Sequence, residues 1–173
     1  METKIVVGLW IALTAAAALG EEGPSKPQEL KVLEKFVGTW DCDVVVKSAV
    51  WTPKEVRDKT VEVNEMVLDG WFLQGTSKTR DGKVNALLMN SYDPIRKRFR
   101  VWRFTPGGLC EEMVGRWDEP TATLTITNDL GNGITSTATF HLIDKDHREY
   151  HVTARDTDGK VYLDVHGTLT GRK

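Results

Sequence analysis

From Gly38 onward the chain alternates apolar and polar side chains with a period of two. Trp40, Cys42, Val44 and Val46 share one parity, opposite Asp41, Asp43 and Lys47. Val161, Leu163, Val165 and Leu169 alternate with Tyr162, Asp164, His166 and Thr168, and Ala138, Phe140 and Leu142 with Thr137, Thr139 and His141. Leu124 and Ile126 lie between threonines. One apolar and one polar face per strand predicts a single sheet laid over one core. Turn pairs punctuate this pattern at Thr52-Pro53, Asp69-Gly70, Asp81-Gly82, Asp93-Pro94, Pro106-Gly107, Glu119-Pro120, Asn132-Gly133, Lys145-Asp146 and Asp158-Gly159. From Asp69 onward they recur every 12 or 13 residues. Asp-Gly and Asn-Gly are strong hairpin signals because both residues tolerate positive φ. The spacing predicts ten strands of about ten residues, each beside its predecessor. Ten strands cannot cover a core while flat, whereas closure buries the apolar face and removes both edges. The predicted fold is therefore all-β, an antiparallel up-and-down β-barrel of about ten strands. A two-sheet sandwich is the competing arrangement of the same strands.

The segment before Gly38 has a different period. Leu30, Leu33, Phe36 and Val37 share a helical face, with Ser25 as N-cap, Gln28 three residues on, and Gly38 as the stop. A short N-terminal helix is expected there, preceded by a polar linker over residues 21–28. Residues 1–20 combine Lys4, an apolar run from Ile5 to Leu19 and a small-x-small ending at Ala18 and Gly20. That is the three-part pattern of a secretory signal peptide, with cleavage expected between Gly20 and Glu21. The run is too short to span a bilayer, which needs about 20 apolar residues. The expectation is an exported protein, periplasmic or extracellular, without membrane attachment after cleavage. It would consist of one domain over residues 29–173.

A short helix followed by Gly38-Thr39-Trp40 at the start of the first strand resembles the opening motif of the lipocalin and calycin barrels. The resemblance implies that Trp40 closes one barrel end against a basic residue near the C-terminus, where Arg172 stands and Lys173 also qualifies. A longer likeness runs from about Pro27 to Arg172. It is carried by LEKFVGTWDCDV (Leu33 to Val44), LDGWFLQGTS (Leu68 to Ser77), NSYDPIRKRFRVW (Asn90 to Trp102) and VGRWDEPTATLTI (Val114 to Ile126). These segments resemble the bacterial family called domain of unknown function 1579. That likeness implies the lipocalin-like fold and no activity. The chain departs from the family's usual small residues after Tyr92-Asp93-Pro94, where it has Arg96-Lys97-Arg98.

Charge and candidate chemistry narrow the picture further. With 23 Lys and Arg against 25 Asp and Glu, the net charge is −2. This argues against a whole-molecule attraction to nucleic acid or anionic lipid. The basic-aromatic run from Arg96 to Phe104 could grip single-stranded nucleic acid, but Glu111 and Glu112 in the next strand offer cross-strand partners, so no nucleic-acid partner is expected. The opposed parities of Phe99 and Val101 against Trp102 and Phe104 suggest a β-bulge near Trp102. His147 and His151 share a face with Glu149 between them, and His141 and His166 lie on neighbouring strands, a set of imidazoles and a carboxylate that could bind zinc. Four apart in one strand is about 13 Å between Cα atoms, too far for His147 and His151 to hold one ion together. These positions also have the outward parity of surface histidines, so no metal site is expected. His166 has outward parity, which argues against a haem ligand, and no cofactor is expected. Cys42 and Cys110 leave both a disulfide and two free thiols open. No nucleophile motif or phosphate-binding loop is present, and no enzyme is expected.

What remains is the interior. Glu65 shares parity with Val61, Val63 and Val67; Asn90 and Tyr92 share parity with Leu88; Gln74 follows the Trp71–Leu73 run. With the aromatics Trp71 and Trp102, these residues would form a polar anchor in an apolar cavity. The expected function is binding of a small lipophilic molecule, admitted at the end opposite Trp40. The alternative is a barrel with a filled core that acts through its outer surface in the cell envelope.

Overall fold

The computed structural model describes residues 25–173. The signal-peptide reading and residues 21–24 of the linker lie outside the described residues. A helix α1 (Leu30–Glu34) precedes ten strands. These are β1 (Gly38–Val46), β2 (Val56–Val67), β3 (Phe72–Thr79), β4 (Val84–Asp93), β5 (Arg98–Phe104), β6 (Cys110–Asp118), β7 (Thr123–Asp129), β8 (Thr135–Leu142), β9 (His147–Arg155) and β10 (Val161–Gly171). Every consecutive pair is antiparallel, and β1 also pairs with β10, so the sheet is a closed barrel rather than a sandwich. The closing seam runs from Trp40 opposite Gly171 to Val46 opposite Val165. All nine turn pairs fall at connections between strands, Asp93 being the last residue of β4. Backbone chemistry places them there: Asp69 and Gly70 adopt φ of 53° and 78°, and Asn132 and Gly133 adopt 52° and 73°. Among the described residues no helix is long and apolar enough to cross a membrane.

The strands alternate in direction, so connections 68–71, 94–97, 119–122 and 143–146 share one end with α1. Connections 47–55, 80–83, 105–109, 130–134 and 156–160 form the other end, the mouth. The helix is shorter than its sequence pattern suggests. Glu29 occupies the N-cap position without a side-chain cap, and Ser25 lies outside the helix. The first turn is closed by backbone bonds alone, from Leu30 N to Pro27 O and from Lys31 N to Gln28 O. Leu30, Leu33 and Phe36 are buried as expected, together with Val32, while Val37 is 42% exposed. The 3.6-residue face breaks after Glu34 because the chain leaves the helix there.

Inside, these helix residues join Leu73, Phe99, Val101, Leu124 and Ile126 in one apolar cluster, and Leu33 and Val101 are its most completely enclosed side chains. Pairing through β5 is continuous on both sides, so there is no bulge at Trp102. The register slips instead between Ser77 and Lys78 and between Val161 and Leu163. In the uninterrupted β5, Phe99 and Val101 point inward and Trp102 points outward. There it lies against Phe72 and under the Arg100 guanidinium.

Candidate functional site

The polar groups inside the barrel converge just above α1, because β2 and β9 each place inward polar residues at that height. Directly opposed residues of an antiparallel pair share a face. Trp40 therefore lies beside Glu62, and Asn64 beside Gly75. On the far side of the seam, Leu169 faces Arg148 and Gly167 faces Tyr150. Arg148 is the centre of this group. Its side chain is 3% exposed, its Nη2 donates to Glu62 Oε2 at 2.5 Å, and its guanidinium lies 4.1 Å from the Trp40 ring.

The carbonyl oxygen of Phe36, freed where α1 ends, accepts from three side chains. Asn64 Nδ2 donates to it at 3.1 Å, Trp40 Nε1 at 3.3 Å and Arg148 Nη1 at 3.4 Å. One backbone atom thus ties the plug helix to β1, β2 and β9. Among the described residues Arg148 Nε has no hydrogen-bond partner although it is buried. Burial presses the Arg148 pKa down from its ordinary value, and the Glu62 carboxylate works against that. Cys42 and Tyr150 extend the group, with Sγ 3.9 Å from the phenol oxygen. Burial raises the Cys42 thiol to about 11, with Glu62 adding to the effect. Burial, then the neighbouring Cys42, also raises the Tyr150 phenol. Cys42 and Cys110 are both free thiols, the first buried and the second exposed.

Above this group lies an interior cavity of about 60 Å³. Its walls are apolar (Leu33, Phe36, Leu73, Leu88, Leu124, Ile126 and Phe140), and its polar lining includes Glu62, Asn64, Ser77, Asn90 and Arg148. Asn90 is held there by a bond from Nδ2 to Leu73 O at 3.3 Å.

Of the residues expected to line the interior, only Asn90 lines this cavity. Trp71 and Tyr92 pack against the core, Tyr92 edge-on to Phe99 at 5.2 Å. Glu65 is exposed, and Gln74 Nε2 donates to its Oε1 at 3.4 Å on the outer face. Trp102 is outside as well. The inward parity of β2 is Glu62 and Asn64, opposite to the valine row on which the Glu65 expectation rested. Valine suits a pleated surface whether or not it faces the core, so that row was a poor guide.

The partner of Trp40 is likewise Arg148 and not Arg172. Arg172 forms a two-point ion pair with Asp41 across the seam, at 2.9 and 2.6 Å, with both side chains about half exposed. The signal for Arg148 was present in the sequence, since it shares parity with Tyr150, Val152 and Ala154. In β5 and β6, Arg100 pairs with Glu112 and Arg103 with Glu111, which accounts for two arginines of the basic-aromatic run. On the outer face of β9 and β10, His151 and His166 lie opposite one another next to Asp164.

The family model described as Protein of unknown function (DUF1579) matches residues 25–169. No curated protein matches the chain in sequence. Among solved structures the barrel is similar to Rv2717c from M. tuberculosis, with a TM-score of 0.60 at 14% identity, covering 86% of this chain and 100% of that one. It is also similar to a DUF3598-family protein of unknown function from Nostoc punctiforme (TM-score 0.57, 10% identity, 81% of this chain and 49% of that one). A third likeness is to the S-type phycobiliprotein lyase CPES from Guillardia theta, with a TM-score of 0.54 at 13% identity, covering 83% of this chain and 92% of that one. At these identities the likeness is one of fold.

Proposed function

Since the chain belongs to the DUF1579 family of proteins of unknown function and folds as a lipocalin-like barrel, we propose that it is an exported binding protein for a small lipophilic molecule with a neutral hydrogen-bonding head. The observation that carries this reading is the apolar cavity with one buried polar group at its base, in which Arg148 keeps an unpartnered Nε. Apolar walls with a few convergent polar groups are the general form of a small-molecule site. Glu62 and Arg148 neutralise each other, so a free carboxylate would meet as much repulsion as attraction. A hydroxyl, carbonyl or amide can bond to Arg148 or Asn64 without that cost. The mouth suits a lipophilic visitor, because Val50, Trp51, Val56, Phe104 and Leu109 are exposed around it. That a phycobiliprotein lyase shares the fold is consistent with a barrel that handles a small ligand.

The cavity is small beside the ~300 Å³ of an ordinary ligand pocket. A ligand of that size enters by displacing partly buried walls such as Leu88 and Phe140. The test is native mass spectrometry of protein purified from its own cell envelope, followed by tryptophan fluorescence against a panel of long-chain alcohols and amides. The expected result is a bound small molecule and saturable quenching that Arg148→Met weakens. An empty protein that no member of the panel quenches would overturn the reading. Export is tested by sequencing the mature N-terminus, which should begin at Glu21; a retained Met1 in the cytoplasmic fraction would remove it.

The cavity volume also favours a second reading, in which the interior is simply filled and the barrel acts through its outer surface in the cell envelope. That reading expects no bound molecule and an Arg148 substitution that alters stability alone.

A further inference from the structure

The outer face of β8, β9 and β10 carries a cluster that the barrel wall separates from the interior. His151 and His166 are direct cross-strand partners, and their rings stack with centroids 4.0 Å apart and planes 18° from parallel. Asp164 lies two residues before His166 and so on the same face. Its Oδ1 is 2.8 Å from His151 Nε2 and 3.0 Å from His166 Nε2. One donor atom from each of the three residues lies within 4.8 Å of the other two.

We propose that His151, Asp164 and His166 bind a divalent transition-metal ion of the zinc, nickel and copper class. Tetrahedral zinc with bonds of about 2.0–2.2 Å sets its donor atoms roughly 3.3 Å apart. Both imidazole nitrogens already stand near that distance from the carboxylate oxygen, so small side-chain rotations admit the ion. Two imidazoles with one carboxylate favour this class over calcium and magnesium, which prefer oxygen ligands alone. The site is preorganised because all three residues sit on adjacent strands of a closed barrel, where the backbone cannot splay. Thr139 Oγ1 bonds the His151 carbonyl at 3.4 Å, and Glu149, two residues before His151, holds His141 at 3.2 Å on the same face. The groove over the cluster is open, so three protein ligands leave a coordination position to water or a small anion. Spacing along a single strand misses this site, since the histidines that meet come from two strands.

The experiment is calorimetric titration of the full chain, without a histidine tag, with zinc chloride and separately with magnesium chloride. The expected result is one zinc per chain with micromolar affinity and no magnesium heat. His151→Ala and His166→Ala should each weaken zinc binding by at least about tenfold. Asp164→Asn, which keeps the size of the side chain, should also weaken it. His147→Ala should not, because His147 pairs with Asp144 at the α1 end of the barrel. No saturable zinc heat in the unaltered chain would overturn the proposal, as would wild-type affinity in the His151 and His166 variants.

Discussion

Arg148 is buried, charged and hydrogen-bonded to two different parts of the fold, the Glu62 carboxylate and the last carbonyl of the plug helix region. Removing such a partner leaves the partly buried Glu62 carboxylate without its counter-ion, with only the Asn64 amide still donating to it, which costs several kcal/mol, whereas replacing both members by apolar groups is often neutral. Arg148→Ala should therefore destabilise the barrel by about 3 kcal/mol, and Arg148→Met combined with Glu62→Leu should recover most of the loss in urea unfolding. The nearby thiol gives a pH signature. Below pH 9.0, its ordinary value, Cys42 is protonated in folded and unfolded chains alike, but between there and about 11 only the unfolded chain gives up the proton. Tyr150 acts in the same direction. Stability should fall as pH rises above 9.0, and Cys42→Ala should flatten part of that slope. In the native protein a thiol reagent should label Cys110 alone, and unfolding should release a second equivalent.

At the level of strands and helix, local chemistry was legible and facing was less so. Each turn pair could be read because Gly, Pro, Asn and Asp have backbone requirements that act within a few residues. Inward parity in β2 could not, because Val61, Val63 and Val67 satisfy sheet propensity on either face. What fixes it is the register with β1, where Trp40 faces Glu62. The same long-range register brings Arg148 to Trp40 and gives Arg172 to Asp41 instead. The hairpin β9–β10 is an intermediate case. Folding the chain about Asp158-Gly159 lays His151 opposite His166, so their meeting could be found in the sequence once strands were paired rather than read singly. This hairpin also holds a steric lock. A Cβ on Gly167 would come within 2.1 Å of the Tyr150 ring, which is itself confined by Phe140. Gly167→Ala should cost about 1–3 kcal/mol, detected as a lower thermal midpoint, and Tyr150→Leu in the same chain should relieve it. In α1, Leu33→Ala should cost about 2–5 kcal/mol, since Leu33 is among the most enclosed side chains of the core.

Taken whole, the molecule has one end closed by α1 and the Phe36 carbonyl and another end ringed by exposed apolar side chains. The wall between them is unbroken because β1 and β10 join. That seam also governs how the chain folds. It unites the first strand with the last, so the contact on which closure depends has nearly the largest sequence separation available, and such contacts form late and slowly. Until β10 is made, the growing chain presents two unpaired edges, β1 and β9, each able to template another copy. A version ending at residue 160 should be recovered as aggregate rather than as a nine-stranded monomer, and adding residues 161–173 as a separate peptide during refolding should restore soluble protein. A monomeric, protease-resistant truncation would show that closure is dispensable. Late closure therefore sets an order on the molecule: the barrel cannot be completed until its last strand has emerged and met the first.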